Sequence, residues 1–155
     1  MTRPAQPLPP QFGDRPFHVR EALLAGVTRG SLLRDSLRVP TWGVRAPAAA
    51  SDALVDRCRA YVPALHPQYA FSHVTALRLL GIEVPWTLED DKRVHAVLPR
   101  RGERPQRPEL HAHFCGRDGL SVVELDGLRV TSPAQTWIHL AADLDEDGLV
   151  VLGDS

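Results

Sequence analysis

Apolar residues recur at helical spacing near the N-terminus and at strand spacing through much of the second half of the chain. Val19, Ala22, Leu23 and Ala25 share one face of a predicted first helix. Gly26 follows, where a positive φ ends a helix without strain. Thr28 then offers its hydroxyl to the free N–H groups of a second helix. On that helix Leu32 and Leu33 are expected to face inward, and Arg29, Ser31 and Arg34 outward. Gly30 weakens it by about 1 kcal/mol relative to Ala. Val39 and Val44 flank Trp42-Gly43 in a predicted hairpin from Arg38 to Arg45. Pro40 confines one strand to an edge, because proline donates no ladder hydrogen bond. Helix, sharp turn, helix and hairpin together outline a winged helix-turn-helix over residues 17–47, a module that lays one helix in a DNA groove.

Before this module, residues 1–16 hold five prolines and few apolar anchors, so a disordered tail is expected. After the connector Ala46–Ala50, an α+β unit is predicted over residues 51–142. Ser51 caps a helix running to about Val62, with Leu54, Val55, Cys58 and Tyr61 inward. Ser72 caps a second, with Thr75, Ala76, Leu79 and Leu80 inward and Gly81 ending it. Alternation predicts strands at Arg93–Leu98, Leu110–Cys115, Ser121–Leu125 and Leu128–Thr131. Asp126-Gly127 joins the last two as a type I′ hairpin. Ser132 caps and Pro133 opens a helix to Ala142. Residues 143–155 begin a further helix or strand, and its apolar Gly148–Gly153 run suggests a shortened version of a longer architecture. The predicted fold class is therefore α+β, a winged helix-turn-helix followed by a small mixed unit with antiparallel strands.

The net charge of −1 hides a split. Residues 1–117 carry +6 and residues 118–155 carry −7, which permits polyanion contact at one end only. Arg100, Arg101, Arg104 and Arg107 decorate one loop as candidate phosphate contacts. No apolar run reaches the roughly 20 residues of a membrane span, and the proline-rich start has no signal-peptide pattern. Cys58 and Cys115 lack metal or redox spacing, so a cytoplasmic location with structural thiols is expected.

Candidate chemistry is sparse. His111, His113 and Cys115 alternate and so share one strand face, which His95 on the neighbouring strand could join as a zinc ligand. No short-spaced ligand pair anchors a second group, so solvent-facing histidines are expected, with Leu110, Ala112 and Phe114 toward the core and no metal or cofactor. Ser72-His73 lacks a nucleophile elbow and reads as a helix cap with a locally packed His73. Glu89, Asp90 and Asp91 read as a solvated acidic loop. No catalytic set emerges.

Several phrases together carry a family resemblance: Phe17 to Arg29 (FHVREALLAGVTR), Trp42 to Arg45 (WGVR), Phe71 to Gly81 (FSHVTALRLLG), Arg93 to Pro99 (RVHAVLP), Asp126 to Ala141 (DGLRVTSPAQTWIHLA) and Leu149 to Ser155 (LVVLGDS). In this order they resemble the N-terminal half of actinobacterial proteins in which an AbiEi-type antitoxin-like region precedes a domain similar to very-short-patch-repair endonucleases. The resemblance covers about Phe17 to Ser155. It implies a DNA-binding antitoxin-like or transcription-regulating protein of a type IV toxin-antitoxin-related family, with DNA as partner and a cognate toxin as a possible second one. Arg29, Ser31 and Arg34 would approach bases or phosphates, and Arg38 and Arg45 the backbone. The alternative is the non-catalytic N-terminal portion of an endonuclease-family protein. No block matching the nuclease-like domain is present, so no catalytic residue carries over.

Overall fold

A computed structural model describes residues 7–99, 107–116 and 119–155. The chain divides into two compact units, Met1–Leu65 and His66–Ser155. Both mix helices with strands, so the fold class is α+β. None of the described helices is long and apolar enough to cross a membrane.

The N-terminal unit is built around aromatic and aliphatic side chains from several short elements. They are strand β1 (Phe17–His18), helix α1 (Val19–Leu24), strands β2 (Leu37–Arg38) and β3 (Val44–Pro47), and helix α2 (Leu54–Tyr61). Phe12, Phe17, Ala22, Val27 and Leu32 form its buried cluster, with Leu8, Val19 and Leu37 packed against it. Phe12 sits in a 3-10 turn over Pro10–Phe12, is 1% exposed, and meets the Phe17 ring at 4.9 Å. The proline-rich segment predicted to be a tail through residue 16 thus contributes Phe12 to the core, with Leu8 packed against it. Its prolines favour the turn, and one aromatic anchor supplies the burial that composition alone did not suggest.

Helix α1 is capped by the His18 ring, which accepts from the Arg20 N–H. It ends as the sequence predicts. Gly26 takes φ +86°, Val27 N–H donates to Ala22 O, and Gly26 N–H donates to Leu23 O. This paired closure satisfies the last carbonyls of the helix. Thr28 Oγ1 then accepts from Ser31 N–H. The second helical segment is a 3-10 turn of four residues, Gly30–Leu33, not an α-helix. Ser31 is 3% exposed and Leu33 is 77% exposed, the reverse of the faces expected. A 3-10 turn repeats every three residues rather than 3.6, so the side chains rotate away from their α-helical positions. Strand β3 pairs antiparallel with β1 on one side and β2 on the other. At the β2–β3 connection Gly43 has φ +80°, which favours glycine, and a Cβ there would press on the His18 ring, 3.1 Å from its Nε2. Ser51 does not cap α2. The cap position is Ala53, and Ser51 Oγ accepts from Ala53 N–H just ahead of the helix. Cys58 is fully buried in α2, and burial pushes its thiol up to about 12, which leaves it inert.

The C-terminal unit is a five-stranded mixed sheet with three helices. Its strands are β4 (Ala70–Phe71), β5 (Val94–Leu98), β6 (Leu110–Phe114), β7 (Val122–Leu125) and β8 (Leu128–Thr131). They are ordered β6-β5-β4-β8-β7. Strand β5 runs antiparallel to β4 and parallel to β6, and β4 runs parallel to β8. The Asp126-Gly127 turn between β7 and β8 has positive φ at both residues, as predicted. Helices α3 (His73–Leu80), α4 (Pro133–Leu140) and α5 (Glu146–Gly153) share a core of Leu77, Leu140 and Leu152. Ser132 and Asp145 cap α4 and α5 through their side chains. Ser72 occupies the cap position of α3 but makes no cap bond, because its hydroxyl is taken by His73 Nδ1 at 2.9 Å. Every residue of β5 is buried, so both faces of that strand are covered.

Phe12→Ala is expected to lower stability by about 3–5 kcal/mol, the cost of truncating a buried phenylalanine. Chemical denaturation of the full chain measures this; an unchanged midpoint would place Phe12 outside the core.

Candidate functional site

In the N-terminal unit the five residues predicted to touch DNA separate into different structural roles. Arg29 is exposed and Arg34 half-buried at either end of the 3-10 turn. Ser31 is buried and its hydroxyl lies 3.0 Å from Thr28 Oγ1, so it braces the turn instead of facing outward. Arg45 is half-buried. Its Nε donates to Leu32 O and its Nη1 to Val44 O, both at 3.0 Å, which ties the hairpin to the end of the 3-10 turn. Arg38 reaches Ser51 O through Nη2. Of the basic loop, Arg100, Arg101 and Arg104 lie outside the described residues, and Arg107 is half-buried.

The densest group of chemically active side chains lies in the C-terminal unit. The parallel register of β5 and β6 sets His95 opposite His111 and Val97 opposite His113. With side chains alternating along a strand, His95, His111 and His113 share one face. Two helices cover it. His73 comes from the first residue of α3 and His139 from the last turn of α4. His73 has φ +52°, a left-handed conformation that a non-glycine residue adopts at a cost of order 1–3 kcal/mol when the surroundings impose it. Two bonds to one strand residue do so. Ser72 N–H donates to His95 O at 3.0 Å, and His95 N–H donates to Thr75 Oγ1 at 2.8 Å.

The five imidazoles are in ring contact. His73 stacks on His113 with centroids 3.6 Å apart and an interplanar angle of 11°. His111 stacks on His113 at 4.3 Å and His139 on His73 at 5.2 Å. Asp91, in the turn before β5, has Oδ2 3.1 Å from His95 Nε2, while Arg93 holds the same carboxylate through two bonds. A carboxylate only accepts, so His95 carries its proton on Nε2. Its Nδ1 is then a lone pair, and His113 Nε2, 3.0 Å away, donates to it. Hydrogen bonding therefore fixes the tautomers from Asp91 through His95 to His113. A pocket of about 440 Å³ opens beside the cluster, lined by His73, His111, His113, Cys115 and His139 among others. Among the described residues, the Nδ1 atoms of His111 and His139 are buried without a hydrogen-bond partner.

Burial disfavours the imidazolium form here. It lowers His73 to about 2 and His113 to about 3 from the ordinary 6.5, with the neighbouring histidines adding to the effect. Burial also lowers His95 and His139. Asp91 is held well below the usual carboxylate range, first by its hydrogen bonds from Arg93. Near neutral pH His73, His95, His113 and His139 are thus uncharged, with His95 anchored to the Asp91 carboxylate.

The strand alternation in the sequence anticipates His95, His111, His113 and Cys115 on one side, but not that this side is covered. His95 is buried, and it is Phe114 that reaches solvent. Asp91 is likewise more than part of a solvated acidic loop. His73 and His139 had no local signal, because their approach depends on how α3 and α4 lie over the sheet. No protein-family model matches the chain, and no curated protein is significantly similar to it.

The pH dependence has a definite sign. Folded-state values for His73 and His113 lie below the unfolded value near 6.5, so the unfolded chain binds more protons in acid. The stability they contribute is fully present above about pH 6.5 and is lost as the pH falls toward 3, while Asp91 stays ionised through most of that window. The thermal midpoint is expected to fall by on the order of 5–10 °C between pH 7 and pH 5. A double variant, His73→Asn with His113→Gln, should show a shallower slope. A wild-type midpoint that stays flat over this range would mean the rings are not held neutral.

Proposed function

We propose that this chain is a DNA-binding, antitoxin-like regulator whose N-terminal unit is a compact winged helix-turn-helix variant. The observation that carries the reading is the order of elements in that unit. Helix α1, the closure at Gly26, a second helical turn opened by Thr28 and the β2–β3 hairpin follow one another around a single core. The ordered motifs that resemble AbiEi-type antitoxin-like proteins support it, as does the basic charge of residues 1–117. A four-residue 3-10 turn offers less length to a groove than a recognition α-helix does. DNA binding in this unit therefore rests mainly on phosphate contact, with Arg29 and Arg34 as the leading residues and Arg38 beside them. Ser31 and Arg45 leave the contact set, since both hold the unit together.

Fluorescence anisotropy with duplex DNA from upstream of the gene tests this. Arg29→Ala and Arg34→Ala should each weaken binding across sequences, and each should lower the salt slope by about one unit, as expected when one phosphate is no longer neutralised. Arg45→Ala should instead lower the thermal midpoint. Unchanged affinity in the Arg29→Ala, Arg34→Ala double variant would refute the surface.

A further inference from the structure

We propose that His73, His95 and His113 form a binding site for a zinc-type divalent transition-metal ion, with a fourth coordination position facing the adjoining pocket. One potential ligand nitrogen from each ring lies within 4.8 Å of the others. The three rings come from three elements, α3, β5 and β6, so they converge from separate directions, as a metal site requires. A tetrahedral zinc ion with Zn–N of about 2.0 Å holds its nitrogen ligands roughly 3.3 Å apart. His95 Nδ1 and His113 Nε2 are already 3.0 Å apart.

The surroundings favour a cation at this point. The Asp91 carboxylate fixes the His95 proton on Nε2 and leaves Nδ1 as a lone pair directed at His113. A carboxylate behind a ligating histidine orients the ring and raises its basicity. The proton of His113 Nε2 fills the space between the two rings. The ion takes its place when His113 carries its proton on Nδ1. His73 stacks parallel to His113, so their in-plane lone pairs lie in parallel planes. Binding therefore requires one of these rings to turn out of the stack. The fourth position is available to water or to a small ligand entering the pocket. Imidazole ligands suit zinc, nickel, copper and cobalt rather than magnesium or calcium. Metal binding of this kind is independent of DNA binding and concerns the other unit.

The test is a calorimetric titration of the full-length, tag-free chain with Zn(II) at pH 7.5, paired with the visible spectrum of the Co(II) form. One equivalent should bind with micromolar or tighter affinity, with the intense visible band of four-coordinate cobalt. Asp91→Asn should weaken binding by about 10- to 100-fold, as loss of a supporting carboxylate does. His113→Gln should abolish the cobalt band, and His66→Gln, outside the cluster, should change neither. Circular dichroism checks each variant. If His113→Gln does not fold, the wild-type stoichiometry together with Asp91→Asn decides the question. Absence of wild-type binding, or wild-type affinity in Asp91→Asn, would overturn the proposal.

Discussion

The parallel register of β5 against β6 is the constraint on which the C-terminal unit depends. Sliding that register by one residue would turn His111 and His113 to the opposite face. It would also part His95 from its in-register neighbour. The register is tied to α3 by bonds to a single residue, since both the N–H and the carbonyl of His95 are used by the start of that helix. One strand position therefore sets the sheet pairing, the entry of α3 and the left-handed backbone at His73 together. Strain at His73 is tolerated because two hydrogen bonds and a ring stack over-determine it.

The same economy holds in the N-terminal unit, where polar side chains that look like surface chemistry serve as internal braces. Arg45 satisfies the carbonyl of Leu32 at the end of a short helical turn, where backbone acceptors otherwise lack partners. Ser31 and Thr28 close the start of that turn. A small unit has little core from which to draw stability, so turn chemistry and a few aromatic anchors carry much of its definition. Phe12 and Phe17 are such anchors.

Much of the fold was legible in the sequence wherever a residue type has a single local use. The closure at Gly26, the Asp126-Gly127 hairpin, the Ser132-Pro133 helix start and the alternation of β5 and β6 are of this kind. Errors came where tertiary context chooses between local options. Leu33 points outward because the second helical segment is 3-10, and Ser72 leaves its cap bond because His73 lies within reach. The histidine cluster was half legible. Period-two spacing groups His111, His113 and Cys115, and strand pairing adds His95. The arrival of His73 and His139 from two helices is a property of packing that no spacing records. Asp91 was hidden inside an acidic run whose other members are Glu89 and Asp90.

A chain of hydrogen bonds from Asp91 to His95 to His113 sets the tautomers of rings that burial holds neutral. Long-range nitrogen–proton correlation spectra of the imidazole rings at pH 7 measure this directly. Neutral rings are expected for His73, His95 and His113, with His95 and His113 both protonated on Nε2. An imidazolium signature for any of the three, or His95 protonated on Nδ1, would contradict it.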